Sequence, residues 1–356
     1  TPADVLAVTP RSICSVATHA LFANAPPATT VIRPSKSALP PVSLTFQDVA
    51  FTRPAGFRGK PKVVLEPCSG HFNAGQLVAI MGPSGCGKTT LVDILAMKKA
   101  GAGEVRVNGQ PRDRLFGRVA AYVGQEDVMP PHWSVEEAVR FNATLKQNPR
   151  RANQSVEEWI DTLLGAFKLR DVRRSLVGDA EVKGVSGGQR RRVSLARGLA
   201  AHASLLFCDE PTSGLSSTDA EVCVRALRTT AKRLGVLCLV VIHQPRPEVT
   251  QLFDSLVLLT SNPGRMAYNG PMDQAVAYFE ERGLPVRPHV NPTDHFLDLL
   301  TPGAPLDRSD QLVSAFEKCQ KPFIEDAVRE GFACEGVTAA EMLSIDGAPS
   351  RRGRDA

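Results

Sequence analysis

The sequence predicts an α/β fold: a mainly parallel β-sheet, an antiparallel β subdomain ahead of it and an α-helical subdomain inserted into it. Three observations carry the prediction. Short apolar runs recur along the chain with helical spacing between most of them, the pattern of strands buried on both faces and joined by crossover helices. The run from Gln76 to Met81 leads at once into a glycine-rich turn and then a helical pattern. Between Glu126 and Ala203 strands give way to helices.

The elements follow in order. Residues 1–41 are rich in Ala, Pro, Ser and Thr, hold one acid (Asp4) and show no periodicity. Such a segment buries too little to offset its ordering entropy, so it reads as a disordered arm. Its scarcity of acids faintly resembles a transit peptide, and a start without Met reads as processing or excision from a longer chain. Val42, Leu44 and Phe46 alternate with polar residues, and Lys62 to Glu66 is a second short extended run, as edge strands would be. Thr89 to Met97 has helical spacing, and extended segments recur at Arg118–Val123, Leu205–Cys208, Val236–Ile242 and Ser255–Leu259. Within the helical stretch, Ser134 with Glu137 and Ser155 with Glu158 form capping boxes. One unit therefore covers residues 42–300, with its helical subdomain at about 126–203. Pro302, Gly303 and Pro305 end it. Residues 301–356 read as a partly helical connecting region and tail, with Leu312, Val313 and Phe316 suggesting one helix and Arg351–Arg354 a solvated end.

Composition narrows the function. The chain has 356 residues, 43% hydrophobic and 22% charged, with 42 Lys and Arg against 37 Asp and Glu, a net charge of +5. That is the balance of a folded soluble protein, and a charge this small over such a length does not announce a nucleic-acid partner. A bilayer span needs about 20 consecutive apolar residues; the longest run here is Val236 to Ile242, so no transmembrane segment is expected in this chain. The 8 cysteines form no C-x-x-C pair and have no histidine at metal-ligand spacing. They read as reduced thiols in the cytosol, where the sequons at Asn142 and Asn153 carry no meaning.

Three motifs carry chemistry. Gly82-Pro83-Ser84-Gly85-Cys86-Gly87-Lys88-Thr89, with Thr90 following, fits G-x-x-x-x-G-K-[ST] between a buried strand and a helix. The glycines let consecutive amides curl around phosphate oxygens at a helix N-terminus. Lys88 reaches the β- and γ-phosphates, and Thr89 offers its hydroxyl to Mg²⁺. Leu205 to Asp209-Glu210 is an apolar strand ending in two acids, and buried carboxylates are costly unless they bind something. Asp209 is expected to hold Mg²⁺ and Glu210 to polarise the attacking water. The third motif is Val185-Ser186-Gly187-Gly188-Gln189 followed by Arg190-Arg191-Arg192. Gly184 to Gly188 also fits the G-x-S-x-G nucleophile elbow, but that turn needs a buried strand just before it, and Gly178 to Lys183 is polar. A second phosphate cradle is the better reading, with Ser186 and the amides of Gly187 and Gly188 opening a helix. Two cradles in one chain point to two chains facing each other. The three arginines read as a solvated helix face, and the Cys86 thiol, among amides and Lys88, is either a thiol of lowered pKa or an inert packed one.

On these motifs the sequence resembles the ATP-binding cassette (ABC) family over nearly all of residues 42–300, a P-loop NTPase of RecA-like fold. The resemblance implies further roles. Gln125, in Tyr122-Val123-Gly124-Gln125, matches the glutamine that senses Mg²⁺ and the attacking water; His243, in Val241-Ile242-His243-Gln244-Pro245, matches the histidine that contacts the γ-phosphate. Phe51 is the candidate adenine-stacking aromatic, a core phenylalanine being the alternative. Ile242 to Pro247, Gly270-Pro271, Tyr278-Phe279, Asn291 to Asp294 and Phe296 to Leu300 resemble the white-type G subfamily. There the cassette precedes a six-helix membrane domain, which reads as missing from this chain. Two positions depart from the pattern: Ser216 stands where the loop usually reads S-G-L-D, and Gln189 where the subfamily commonly has Glu.

The resemblance thus implies an ATPase with ATP and Mg²⁺ as cofactors. Its catalytic residues would be Lys88, Gln125, Glu210 and His243, its metal-binding residues Thr89, Asp209 and Gln125. Its partners would be a second cassette, identical or not, and a transmembrane domain holding it at the cytosolic face of a membrane. Head-to-tail dimerisation around two ATP·Mg²⁺ would drive export of lipids, sterols or other amphipathic compounds. A soluble cassette acting in translation or DNA maintenance and a nucleotide-sensing regulatory cassette are the alternatives.

Overall fold

A computed structural model describes residues 41–54, 60–146, 155–334 and 336–343. The N-terminal arm, the sequon at Asn153 and the Arg351–Arg354 end lie outside the described residues.

The chain opens with β1 (Leu44–Arg53) and β2 (Lys62–Phe72), antiparallel neighbours with Leu44 opposite Phe72 and Arg53 opposite Lys62. β3 (Leu77–Met81), buried at every residue, runs into the glycine-rich loop and α1 (Lys88–Leu95). β4 (Ala102–Val107) and β5 (Gln110–Pro111) return to β1 and complete a four-stranded antiparallel sheet of order β2-β1-β4-β5. The sequence hides β4, because its first half, Ala102-Gly103-Glu104, is exposed and only Val105 and Val107 face a core. α2 (Phe116–Val119) is a single turn before β6 (Ala120–Val123), so the extended run expected from Arg118 begins two residues later.

Three helices come next: α3 (Val135–Lys146), α4 (Val156–Ala166) and α5 (Gly187–Ala200). The serine hydroxyls of Ser134 and Ser155 accept from the amides of Glu137 and Glu158, whose carboxylates bond back to the serine amides. β7 (Leu205–Asp209), α6 (Ser217–Leu234) and β8 (Leu237–Val241) form one right-on-spacing strand–helix–strand unit, in which Gly235, at φ 74°, ends α6. After α7 (Pro247–Thr250), β9 (Ser255–Leu259) turns back as the antiparallel β10 (Met266–Pro271). Then come α8 (Ala275–Glu280), α9 (Pro292–Leu300), α10 (Ser309–Cys319), α11 (Lys321–Ala333) and α12 (Ala339–Leu343).

The second sheet has the order β10-β9-β3-β8-β7-β6, parallel throughout except at β10. Period-two alternation divides its side chains between two cores. Leu77, Ala79, Met81, Leu206 and Val240 face α3 to α6. Val78, Ile80, Phe207, Leu239 and Val241 face α1 and the antiparallel sheet. This explains why the strands read as unbroken apolar runs: both faces are covered. Of the C-terminal helices, α10 packs on β10 and α11 on β2 and β1; the Arg106 guanidinium lies 4.5 Å from the Phe332 ring and the Asn108 amide donates to the Val337 carbonyl at 3.3 Å.

Parallel order brings the carboxyl ends of β3, β6, β7 and β8 to one edge of the sheet, where ligands of such sheets bind. The glycine-rich loop at that edge has a fixed backing. Gly264 accepts from the Glu66 amide and donates to the Val64 carbonyl, both at 2.9 Å, and a Cβ on it would run into the Cys86 carbonyl. Gly264→Ala should therefore displace the loop. The expected result is a loss of about 2 kcal/mol in stability, read from chemical denaturation, together with weaker nucleotide binding.

Candidate nucleotide site

The loop after β3 is shaped by glycines that no other residue replaces. Gly82 is buried, and a Cβ there would come within 2.5 Å of the Leu259 carbonyl oxygen and 2.7 Å of Cys86 Sγ. Gly85 and Gly87 take φ of 76° and 94°, and Gly85 has nothing within 4 Å of a would-be Cβ. The loop thus presents an open concave face beside the N-terminus of α1. Pro83 is half-buried and Ser84 exposed at its rim; Thr89 is exposed and Thr90 half-buried in the first turn of α1. Lys88 is only 5% exposed, and its Nζ donates to the carbonyls of Gly82 at 2.9 Å and Pro83 at 3.0 Å.

The structure decides between the two readings of Cys86. Its side chain is fully buried and turned to the inside of the loop, 3.7 Å from Lys88 Nζ. Burial raises its pKa, and this outweighs the opposing effect of Lys88. The thiol is packing, not a phosphate-facing nucleophile.

Asp209 ends β7 and is 8% exposed; its Oδ1 accepts from Thr89 Oγ1 at 3.0 Å and its Oδ2 from Tyr122 Oη at 3.5 Å. Burial, then the nearby charges of Glu210 and Asp93, push its pKa up against the hydrogen bonds that lower it. A hydroxyl and a carboxylate oxygen in mutual contact, beside further acids, are the hard donors that suit Mg²⁺. The residues therefore fit the metal: Thr89 and Asp209 would hold it, with Gln125 near. When bound, Mg²⁺ supplies charge neutralisation at the phosphate oxygens.

Three residues far apart in sequence meet at Glu210. Gln125 follows β6, Glu210 follows β7 and His243 follows β8, and these strands are adjacent in the sheet. Glu210 Oε2 accepts from Gln125 Nε2 at 3.2 Å, and its Oε1 lies 2.9 Å from His243 Nε2. Glu210 has φ 49°, a left-handed conformation that costs a side-chain-bearing residue about 1 kcal/mol.

The clamp for that turn is Arg191, on the first turns of α5. Its guanidinium donates to the carbonyls of Gly124, Gln125, Asp209, Glu210 and Pro211 and to Asp127 Oδ1, at 2.8 to 3.3 Å. Arg191 is 3% exposed and Arg192 is 8% exposed, so the expectation of a solvated basic face is corrected at both. Arg192 donates instead to the carbonyls of Gly188, Phe167 and Lys168. A signal was present: Gly188, Arg191, Arg192, Leu195 and Leu199 share one stripe at helical spacing.

Ser186 caps α5, accepting from the Gln189 amide at 3.2 Å while its own amide donates to Gln189 Oε1 at 2.9 Å. A Glu at 189 would make the same box, so the subfamily departure keeps the cap. Gly187 has nothing within 4 Å of a would-be Cβ, whereas Gly188 is packed against Asp219. Among the described residues no hydrogen bond joins Ser186–Gly188 to the Gly82–Thr89 loop. Phe51 is half-buried on β1 opposite Leu65, whose Cβ would lie 3.7 Å from one on Gly87. Lys99 Nζ sits 4.3 Å from the Phe51 ring centroid, a partner that sequence reasoning did not find.

A family model described as ABC transporter matches residues 65–213, and one described as ABC-2 type transporter matches residues 243–314. The chain is 34% identical over 319 residues to ABC transporter G family member 22 of Dictyostelium discoideum, covering 87% of this chain and 50% of that protein. It is 36% identical over 309 residues to the broad substrate specificity ATP-binding cassette transporter ABCG2 of Mus musculus, covering 83% and 46%. The chain spans about half the length of these curated relatives, or less. A solved dimer of the ATP-binding cassette MJ0796, in a post-hydrolysis state bound to ADP and Pi, has the same fold, with a TM-score of 0.53 and 23% identity over 64% of this chain and 98% of that one. Residues 243–314 supply β9 and β10 of the six-stranded sheet and helices α7 to α9, and among the described residues no helix is long and apolar enough to cross a membrane.

Asp209→Asn keeps an acceptor for Thr89 and removes a buried, repelled charge. Because the folded state binds the Asp209 proton more tightly than the unfolded chain does, this group adds stability as pH falls and subtracts it as pH rises. At neutral pH the variant should melt about 2 °C higher while losing Mg²⁺-dependent turnover, a separation readable by paired thermal and ATPase assays. Arg191→Met strands five carbonyls and Asp127, and should cost about 3 kcal/mol in denaturant titrations.

Proposed function

Since the chain belongs to the ABC transporter family, with G-family members as its relatives, and carries the ATPase cassette of that family, we propose that it is the ATP-binding and hydrolysing part of a G-family exporter. The observation that carries the reading is the convergence of Gln125, Glu210 and His243 beside the Thr89–Asp209 pair.

In this reading Lys88 leaves the Gly82 and Pro83 carbonyls to bind the β- and γ-phosphates, and Phe51 stacks on the adenine. Glu210 draws a proton from the attacking water, with Gln125 orienting that water and His243 holding the γ-phosphate. The Ser186–Gly188 cradle of a second cassette closes on the same nucleotide, so each ATP is gripped by two chains. Its open face at Gly187 and its lack of hydrogen bonds to the loop of its own chain support that division of labour. Release of phosphate removes the contact and lets the halves part. The membrane-crossing part is assigned to a segment or partner other than the described residues, with the cassette on the cytosolic side. The cargo class, lipids, sterols or other amphipathic compounds, follows from the G-subfamily resemblance alone.

Glu210→Gln should leave ATP binding intact, lower turnover about a thousandfold and accumulate a dimer by light scattering in ATP; full turnover would overturn the assignment of the base. With the native chain, specific activity should climb with protein concentration until the dimer saturates, as followed by phosphate release.

A further inference from the structure

The loop from Ser213 to Ser216 lacks the carboxylate that its sequence pattern usually ends on, yet a carboxylate stands beside it. Ser216 caps α6: its Oγ accepts from the Asp219 amide at 3.1 Å and donates to Asp219 Oδ2 at 2.8 Å. The other carboxylate oxygen turns toward the neighbouring helix. A Cβ on Gly188 would come within 2.5 Å of Asp219 Oδ1, so this glycine is required by the acid lying against it.

Two helix N-termini thus sit side by side, each closed by a serine, with one carboxylate between them. α5 presents the phosphate cradle of Ser186 and Gly188, and α6 begins at the Ser213–Ser216 loop. We propose that Asp219 supplies, from one turn into α6, the carboxylate that Ser216 leaves out, and that the Ser216–Asp219 pair is the positioning element fixing the loop against the phosphate cradle of its own chain. The proposal rests on the ATPase reading given above and deepens it. The geometry favours it over a degenerate loop: the carboxylate at 219 accepts from the Ser216 hydroxyl through one oxygen while the other lies against Gly188. Ser213 and Leu215 amides donate to the Glu210 and Thr212 carbonyls, so movement of the loop reaches the turn that holds Glu210.

The test uses the 356-residue chain, Asp219→Ala, and the exchange Ser216→Asp with Asp219→Thr, which moves the carboxylate back to the head of the helix. Asp219→Ala should lower kcat at least tenfold with KM for ATP within twofold, because the Lys88 pocket is untouched. The exchanged pair should recover kcat to within about threefold of the native chain. Hydrogen exchange at the Ser213 and Leu215 amides, measured without nucleotide, should quicken in Asp219→Ala and return to native rates in the exchanged pair. Native kcat in Asp219→Ala, an exchanged pair no better than that single variant, or unchanged amide exchange would each overturn the proposal. A native chain that turns over no ATP counts against the ATPase reading instead, and the exchange measurement alone then decides whether the pair positions the loop.

Discussion

One buried guanidinium organises this molecule's chemistry. Where β6 and β7 end, their carbonyls converge at the sheet edge with no further strand to accept from, and buried carbonyls left unpaired are costly. Arg191 answers five of them and Asp127 together. Only a planar group with donors on several sides meets that demand; a lysine ammonium has three donors and no fork. The same contacts hold Glu210 in its left-handed turn and tie the segment at Gln125 to it. Arg191 also belongs to the helix that Ser186 caps, so the acid pair and that helix N-terminus are tied to each other.

Charge is arranged for an incoming ligand while the free chain stays internally satisfied. Lys88 rests on carbonyls of its own loop, and Thr89 rests on Asp209. Nucleotide binding therefore exchanges contacts already made for better ones, and the loop keeps its shape because Leu259, Cys86 and Gly264 back it from behind. The raised pKa of Asp209 belongs to the same arrangement: burial first, then the charges of Glu210 and Asp93, disfavour its ionised form.

Much of this was legible beforehand. Parallel strands announced themselves because both faces are covered, which makes β3, β7 and β8 unbroken apolar runs. The site residues stood in spacings that phosphate chemistry imposes, and the fold gathers Gln125, Glu210 and His243 as the motifs require. Other features left little trace. β4 faces a core with two side chains only, and β10 ends in Gly270-Pro271, so neither shows a strand's usual length of pattern. Arg191 and Arg190 look identical in sequence; what separates them is helical phase against carbonyls contributed by strands many residues away. Cys86 stayed open in the sequence for the opposite reason. Its neighbours are right for an activated thiol, but the loop turns its side chain inward, and desolvation outweighs the adjacent ammonium.

The C-terminal helices have a mechanical corollary. α11 lies on β1 and β2, the sheet that also bears Phe51, and the hairpin between β4 and β5 is clasped through Arg106, Asn108 and Gly109 by Phe332, Cys334, Gly336 and Val337. Traction applied along the segment from Gly336 into α12 would reach β1 and its neighbours as shear across several bonds at once, not as the one-by-one peeling of a free end. Such an attachment is stiff in tension, and it would convey a load to the antiparallel sheet before it reached the acids at the end of β7.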